Sequence, residues 1–367
     1  MKFVELKIPE LRAFVNTDDF RQMPELPIST LRAHSQSLNP SADPNDTALI
    51  YALNEQNHVI GYIGILPAGA YSNEISKIYF ISCWWAHPEA GRGVAMKLFF
   101  RMLELTQRRV FFFHLPEKMS GILKIMGGFS FPEVRSGFKG FLRVDFQSWI
   151  SNRNPRLSFM KPLSVIADLI LNLPVSLHLA FRKIQLDEST GFYAELVEYP
   201  GMAELKYISE IINGTTIFRS MKELNWVIAN PWISNDSITY KKEAKRYRFS
   251  LLANKWQQHW IRVSNGEEIK GMIYLTIRDG VASLPYVWFK NEDNAELAKC
   301  IAVLLIELKV AAILSYNAYL SKGFKEIKSI FLHQRQLQKI IAWPREMDSL
   351  MGAKYLLQDG DGDAVFT

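Results

Sequence analysis

The segment "YFISCWWAHPEAGRGVAMKLFF", residues 79–100, decides the fold. Its apolar and aromatic run stops at a His-Pro pair, and two glycines around an arginine follow. After them, apolar residues recur at the spacing of one helix face: Val94, Leu98, Met102 and Leu105. We therefore predict a strand over 75–87, a glycine loop at 91–93 and a helix over 94–109.

The glycine loop has the features of an anion site. The first amides of a helix lack partners within the helix and carry partial positive charge. Gly91 and Gly93 have no Cβ, so their amides can turn toward a phosphate, with Arg92 as a charged donor at the rim. The sequence predicts a pyrophosphate-binding loop, although a plain tight turn before a helix would use the same two glycines.

The flanking patterns predict a mixed α/β sheet. Residues 46–68 have the pattern of two strands joined by a polar turn, and residues 110–115 of another strand. A helix is expected over 116–129, stopped by two glycines, and a last strand over 140–146. This order is an antiparallel hairpin followed by βαβ crossovers.

The second half of the chain repeats this pattern. Residues 259–290 predict strands separated by the turns "NGEE" and "RDG", and residues 294–310 a helix of matching length. A strand and a short helix ending in Gly-Phe follow over 311–324, as in the first half. We predict a first domain over 1–150, linker helices over 151–185 and a second domain over 186–367.

Composition and charge narrow the class of protein. The 367 residues are 48% apolar, which is enough for two buried cores. The net charge of +6 is spread along the chain without a Lys/Arg block, so we expect no nucleic-acid partner. Two distant cysteines, Cys83 and Cys300, allow neither a disulfide framework nor a zinc site, and they suggest a reducing cytoplasm. The first residues do not have the pattern of a signal peptide.

Residues 162–183 form a long apolar segment. Asp168 is costly in hydrocarbon, so no membrane span is expected. A pair of interdomain helices kinked at Pro174 is the favoured interpretation, and a peripheral membrane contact stays open.

The glycine-loop segment resembles the GNAT superfamily of acyl-CoA N-acyltransferases, in a tandem-domain bacterial form. Its signature loop reads Arg/Gln-x-x-Gly-x-Gly/Ala, and residues 90–95, "AGRGVA", align with it, although Ala90 departs from the leading Arg/Gln. The resemblance implies an α/β fold of two GNAT-like domains. The second is divergent and without cofactor binding, because its loop lacks glycine and carries Glu292 and Asp293.

The resemblance also implies a binding site for acetyl-CoA, as acyl donor, with no metal. The pantetheine arm would follow the strand over 78–86, whose amides near position 83 would polarise the thioester carbonyl. The implied cofactor-binding residues are Cys83, Trp84, Trp85, Ala86, Gly91, Arg92, Gly93, Val94 and Ala95.

The general base of such a reaction must lie within reach of the acceptor amine. The candidates are His114, Glu117 and Glu74, each of which would also suit a capping or surface role. Tyr319 has the position at which the family often carries a general acid, and a packing role would explain it equally well.

The acceptor side of the resemblance falls on residues 27–53. Four residues in polar, turn-rich surroundings there are candidates for substrate contact, although plain loop chemistry explains them equally well: Arg32, Asn39, Pro40 and Asp46. The "DGDGD" at 359–363 lacks the downstream Glu of an EF-hand and is interpreted as a terminal loop near the acceptor pocket.

The function that the resemblance implies is transfer of an acetyl or short acyl group to a primary amine, for instance an amino sugar. The partner would be a small molecule, and the sequence does not predict an oligomeric state. The alternatives are a degenerate GNAT-like binding protein without catalysis, and a FemAB-like aminoacyl transferase. The loop at 91–95 argues against the last.

Overall fold

A computed structural model describes residues 1–70, 77–132, 134–147, 150, 161–290, 294–349 and 355–366. The chain forms two compact units that alternate along the sequence. Unit 1 consists of Met1–Val134, Gly214–Asn254 and Lys339–Thr367, and unit 2 consists of Arg135–Asn213 and Lys255–Gln338.

The strands of the described residues, in chain order, are β1 Lys2–Lys7, β2 Thr47–Leu53, β3 Val59–Ala68, β4 Ile78–Ala86, β5 Val110–Phe111, β6 Phe129–Ser130, β7 Val134–Phe141, β8 Tyr193–Val197, β9 Thr216–Ile217, β10 Trp256–Asn265, β11 Glu268–Arg278, β12 Val281–Phe289, β13 Ala312–Ser315, β14 His333–Ile340, β15 Trp343–Pro344 and β16 Tyr355–Leu356. The α-helices are α1 Glu10–Val15, α2 Asp18–Gln22, α3 Thr30–Ser37, α4 Val94–Leu105, α5 Glu117–Met126, α6 Lys161–Ser189, α7 Met202–Ile212, α8 Met221–Ala229, α9 Ser237–Ala244, α10 Asn294–Glu307 and α11 Ala318–Glu326.

Unit 1 is built on a five-stranded sheet with the order β1-β2-β3-β4-β5. The first four strands are antiparallel to their neighbours, and β5 runs parallel to β4. Every residue of β3 is buried, because both faces of this central strand are covered. One face packs against α1–α3, and the other packs against α4 and α5.

The segment Gly214–Asn254 belongs to unit 1 because polar contacts attach it to the N-terminal residues. Ser220 and Glu223 form a capping box at the start of α8. The buried Glu223 carboxylate also accepts from Ser41 Oγ at 2.7 Å and from the Gly69 amide at 3.0 Å. Trp226 Nε1 donates to the Ser35 carbonyl at 2.8 Å.

Unit 2 contains a seven-stranded sheet with the order β14-β7-β13-β12-β11-β10-β8. Its antiparallel meander β10-β11-β12 is followed by α10 and by β13, which runs parallel to β12. A core of aliphatic residues from the sheet, α6, α10 and α11 fills this unit.

The predicted mixed α/β class is confirmed, and so are the strand hairpin over 46–68, the helix after the glycine loop and the meander over 259–290. The compact units, however, do not coincide with the predicted domain ranges 1–150, 151–185 and 186–367. The reason is that β7 pairs with β13 of unit 2, whereas residues 214–254 and 339–367 fold into unit 1. The predicted ranges also state which segments of the chain repeat one pattern, and that part stays a prediction.

Three predicted elements differ from the observed ones. The strand expected over 140–146 lies at β7, several residues earlier, and the strand expected over 110–115 is only β5. The expected helix pair is one helix, α6, with Pro174 inside it. The last helix does not end at Gly323-Phe324, because Gly323 packs against Ala298 in the middle of α11.

Candidate active site in unit 1

The two parallel strands of unit 1 separate after a short pairing. Tyr79 pairs with Val110 and Phe80 with Phe111, whereas β4 continues to Ala86. On its other edge β4 carries a bulge, because Cys83 and Trp84 together oppose one residue of β3. Cys83 has a φ of 53°, a left-handed conformation that is uncommon for a residue other than glycine. The bulge bends β4 away from β5 and opens a cleft between them.

The cleft has a volume of about 630 Å³ and is mostly apolar. Both separated chain segments, the start of α4, the α5 region and two later segments contribute to its wall. The lining residues are Ile81, Cys83, Trp84, Trp85, Ala86, Ala95, Phe112, Phe113, His114, Leu115, Pro116, Lys118, Met119, Ile122, Phe249 and Asp363. A smaller pocket of about 130 Å³ shares Cys83, Phe249 and Asp363 with it and is closed by Tyr247 and Trp232.

Glycine is needed at position 91 and at position 93 for different structural reasons. A Cβ on Gly91 would lie 2.5 Å from the His87 carbonyl oxygen and 2.7 Å from that of Ile60, so close backbone packing requires glycine there. Gly93 is the N-cap of α4 with a φ of 76°, and a Cβ would meet no atom within 4 Å. The N-terminus of α4 therefore carries no side chain over its first amides.

The turn itself uses several of the amides that were predicted to bind an anion. Those of Gly91 and Val94 donate to the carbonyls of His87 and Gly91, both at 2.9 Å, and that of Arg92 donates to Glu89. In the described part of the chain the amides of Gly93, Ala95 and Met96 make no hydrogen bond. The loop thus offers donors from the first turn of α4 rather than from Gly91.

The predicted cofactor-binding residues divide into two groups. Cys83, Trp84, Trp85, Ala86 and Ala95 line the cleft. Gly91, the exposed Arg92 and Gly93 form the turn before α4, and Val94 begins α4 and is buried in the core.

The two tryptophans of β4 pack on opposite sides of the sheet, as expected for successive strand residues. Trp84 stacks on Phe99 of α4 with ring centroids 5.5 Å apart. Trp85 packs against Tyr62 at 5.4 Å, and the Arg248 guanidinium lies over its ring.

A cluster of polar side chains lies beside the bulge. Its members, hereafter the polar cluster, are Arg32, Ser82, Cys83, Tyr247 and Asp363. Ser82 Oγ donates to Asp363 Oδ2 at 2.8 Å, and the Tyr247 hydroxyl donates to Cys83 Sγ at 3.2 Å. Arg32 Nη1 in turn donates to the Tyr247 hydroxyl oxygen at 3.4 Å. Four segments that are far apart in sequence thus meet at the bulge.

Arg32 is fully buried, which makes it an unusual arginine. Its guanidinium lies over the Trp232 ring, 4.8 Å from the centroid, and the amide oxygen of Gln36 accepts from its Nε at 2.8 Å. Gly64 leaves space for it, since a Cβ there would lie 1.7 Å from Nη2.

Burial controls the protonation of the cluster's weak acids. It raises the pKa of the Cys83 thiol, although the Arg32 charge acts in the opposite direction. Burial, with the neighbouring Cys83 as a second cause, also raises the pKa of Tyr247. Both groups therefore stay neutral at physiological pH, and Asp363 supplies the acidic side chain of the cluster.

Asp363 is held by the loop that surrounds it. Gly362 has a φ of 104°, and its carbonyl oxygen accepts from Arg219 Nη2 at 2.5 Å. Three residues later, Phe366 stacks on Trp232 with ring centroids 4.2 Å apart. The sequence signal for this loop was the "DGDGD" turn pattern, but nothing in the sequence indicated that its last carboxylate lies at the bulge of β4.

The predicted catalytic residues have different positions. His114 lines the cleft at its exposed rim. The partly buried surroundings of its ring and, second, the Lys339 ammonium lower the pKa of the imidazole, so His114 is neutral and a weak proton acceptor. Glu117 is exposed at the start of α5 and does not line the cleft. Glu74 lies outside the described residues.

Tyr319 belongs to α11 in unit 2 and is exposed, with its ring edge against Phe289. It is not among the residues that line the cleft of unit 1.

The residues predicted for the acceptor side also separate. Of them, only Arg32 reaches the polar cluster. Asn39 is buried and donates to the Pro67 carbonyl at 2.7 Å, and Asp46 accepts from the Tyr79 hydroxyl at 2.9 Å, so both act as structural groups.

No family model and no curated protein matches this sequence. Solved structures do align with it. A protein of unknown function from Enterococcus faecalis V583, described as a probable N-acyltransferase, is 11% identical, with 93% of this chain and 71% of that chain covered and a TM-score of 0.46. A tandem GNAT protein from the clavulanic acid biosynthesis pathway is 12% identical, with 93% and 97% covered and a TM-score of 0.45.

A GCN5-related N-acetyltransferase from Kribbella flavida is 10% identical, with 93% and 71% covered and a TM-score of 0.42. The three proteins are described as a probable N-acyltransferase, a tandem GNAT protein and a GCN5-related N-acetyltransferase. At these identities the similarity concerns the fold alone.

Proposed function

We propose that this protein is an acyl-CoA-dependent N-acyltransferase whose reaction takes place in the cleft of unit 1. One observation carries the proposal: the cleft between β4 and β5 leads from the uncapped N-terminus of α4 to the carboxylate of Asp363. The cleft thus connects a proposed diphosphate site at α4, an open strand edge for an extended pantetheine arm, and the acidic side chain of Asp363.

The donor would bind along the open edge of β4. After Phe80 this edge has no strand partner on the β5 side in the described residues, so an extended pantetheine arm can pair with its backbone. At the far end, the amides of Gly93, Ala95 and Met96 would hold the diphosphate, with the exposed Arg92 beside them. An acetyl or short acyl group would then lie near the bulge at Cys83.

The acceptor would be a primary amine, for instance of an amino sugar, entering beside Asp363. The Asp363 carboxylate binds the ammonium form and takes its proton, directly or through one water. The amine nitrogen then forms a bond to the thioester carbonyl carbon while amides near the bulge hold the developing oxyanion. The C–S bond breaks, and the thiolate leaves as coenzyme A after taking up the second amine proton.

Titration of acetyl-CoA into the wild type and two variants at Gly93 tests the donor site. Asp and Asn both tolerate the left-handed backbone and have the same shape, so the pair differs only in charge. Gly93→Asp places a carboxylate at the predicted diphosphate position, and we expect at least about tenfold weaker binding, a free-energy loss of about 1.4 kcal/mol. Gly93→Asn should bind nearly as the wild type does. Equal affinity in all three proteins would remove this loop from the site.

A second candidate function is binding of acyl-CoA without catalysis. The observation in its favour is Lys124, which lies four residues before Gly128, where the resemblance to the GNAT superfamily would place a general-acid tyrosine. Lys124 is exposed, lies over the Phe131 ring and does not line the cleft. Release of free thiol from acetyl-CoA in the presence of a panel of primary amines decides between the two functions.

A further inference from the structure

Helix α6 presents a long apolar surface that the protein itself does not cover. An 18-residue window within Pro162–Ser189 has a mean hydropathy of 1.7, yet only 11% of that window is buried. A core helix of similar composition would be mostly buried, so packing inside unit 2 does not explain this surface. The residues that expose their side chains are Leu163, Val165, Ile166, Leu169, Ile170, Leu171, Leu173, Leu177, Phe181 and Ile184.

Two polar side chains within the apolar part of α6 bond the rest of unit 2. Asp168 accepts from the amides of Phe146 and Gln147 at 2.8 and 3.1 Å. Asn172 bonds both the amide and the carbonyl of Val144, at 2.9 and 2.8 Å. A surface helix usually buries its apolar face and exposes its polar one. In α6 the polar face contacts protein and the apolar face is exposed.

We propose that this apolar face of α6 rests on the surface of a lipid bilayer. The stretch from Pro162 to Phe181 is about 30 Å long at 1.5 Å per residue, and its one carboxylate, Asp168, is on the polar face. Because the polar face is hydrogen-bonded to the rest of unit 2, crossing the bilayer would break these bonds, whereas lying on its surface would keep them. The helix can lie in the interface with one face immersed, as peripheral amphipathic helices do.

The width of the face favours lipid over a second copy of the chain. A coiled-coil seam buries two positions of each heptad. Here Val165, Leu169 and Leu171 extend the exposed apolar surface beyond one such seam. A bilayer contacts a broad arc without requiring matched side chains, and apolar burial alone stabilises that contact.

One exposed lysine lies near this face and would complement lipid phosphates. The loop that contacts the helix through Ser329 places the exposed Lys328 beside it. Arg182 and Lys183 follow the apolar stretch directly but are held by protein groups, Arg182 by Ser329 and Gln185 and Lys183 by Glu307 at 2.6 Å. The carboxylates of α6 beyond them, at Asp187 and Glu188, lie after the end of the apolar face.

Co-sedimentation of the full chain with vesicles of phosphatidylcholine and phosphatidylglycerol tests the proposal. The test variant combines Leu169→Gln, Leu173→Gln and Leu177→Gln, at side chains that are 74%, 67% and 69% exposed. The matched control combines Met202→Gln and Ile238→Gln, which are at least as exposed but lie elsewhere. We expect the wild type and the control to sediment with the vesicles, and the test variant to bind at least about tenfold more weakly.

Circular dichroism shows whether all three proteins are folded. The proposal is overturned if the folded wild type stays in the supernatant, or if the test variant binds as the wild type does. Light scattering adds a further outcome: a wild-type dimer that the three α6 substitutions dissociate would assign the face to a second copy of this chain and overturn the lipid assignment.

Discussion

The two units of the molecule repeat one backbone pattern around different side chains. In unit 1 the meander β2-β3-β4 is followed by α4 and by β5, parallel to β4. In unit 2 the meander β10-β11-β12 is followed by α10 and by β13, parallel to β12. Both third strands then continue beyond their short parallel pairing.

The difference lies in what covers those sheets. Beside the third strand of unit 1 lies the polar cluster. The corresponding meander of unit 2 carries stacked rings instead, with Trp288 between Trp260 at 5.9 Å and Tyr286 at 5.7 Å. The polar cluster depends on Tyr247 and Asp363, which come from later segments that return to unit 1. A repeated fold therefore does not repeat the polar cluster, because the cluster requires residues outside the repeat.

The largest effect is expected at Asp363. If its carboxylate accepts the amine proton, Asp363→Asn removes the base and keeps the shape and the Ser82 contact. We expect a loss of at least about a hundredfold in the rate of thiol release, with acetyl-CoA affinity unchanged.

The same assay with His114→Gln and Glu117→Gln supplies the comparison. Each should retain most of the activity. If Asp363→Asn releases thiol at the wild-type rate and His114→Gln or Glu117→Gln releases it more slowly, the general base is the histidine or the glutamate and not Asp363.

Substituting Arg32 in the polar cluster of unit 1 and Trp260 in the stacked rings of unit 2 compares these two regions. Arg32→Met leaves Tyr247 and Gln36 without their buried donor, and we expect a loss of about 3 kcal/mol in the free energy of unfolding. It should also lower the rate of thiol release. Trp260→Leu in unit 2 should destabilise the fold by a similar amount, with the activity of the folded protein retained. Denaturant unfolding and thiol release measure the two effects.

Arg92→Met is the matched control, because this arginine is exposed. Its effect on unfolding should lie within about 0.5 kcal/mol. An equal loss in Arg32→Met and Arg92→Met would contradict the structural role of the buried guanidinium.

Cys83 should react slowly although it lines the cleft. Its raised pKa keeps the thiol protonated as the pH rises past the value of a free cysteine, so thiolate is scarce at neutral pH. In a Cys300→Ala background we expect labelling by a disulfide reagent at least about tenfold slower than in the urea-unfolded chain. Rapid labelling of the folded protein would mean that the thiol is ionised in the cleft.

The smallest expected effect is a pH dependence in unit 2. Burial and, second, the Lys255 charge lower the pKa of His259, so the unfolded chain binds this proton at a higher pH than the folded one. The contribution of His259 to the free energy of unfolding is complete above its pKa in the unfolded chain, about 6.5, and is lost as the pH falls below that value. His259→Gln should therefore reduce the drop in Tm between about pH 7 and pH 5.

His58→Gln, at an exposed histidine of the β2–β3 turn, should leave that drop unchanged. If His259→Gln has no effect on it, other groups cause the acid sensitivity.

Much of the fold could be predicted because its signals are local. The meander strands, the glycine loop and α4 follow from alternation, turn residues and helical spacing within about 60 residues. The placement of the site could not be predicted in this way. Ser82 and Asp363 are 281 positions apart, and Arg32 and Tyr247 are 215 apart, so their contacts arise from tertiary folding alone.

Some single residues have surroundings that their residue type alone does not predict. Gly91 looked like an open amide, but it is a site of close backbone packing. His114 has the residue type of a base, yet its surroundings lower its pKa. The apolar run of α6 predicts a kinked pair, because Pro174 disfavours a continuous helix. The helix continues through it nonetheless.

The long separation between Ser82 and Asp363 has a consequence for synthesis. A chain grows from its N-terminus, so the sheet of unit 1 and its glycine loop leave the ribosome well before the acidic loop does. Until that loop arrives, the nascent protein has the cleft that we propose for the acyl donor but lacks the carboxylate that we propose as the proton acceptor. Acquisition of activity would then mark the moment at which both units have been made.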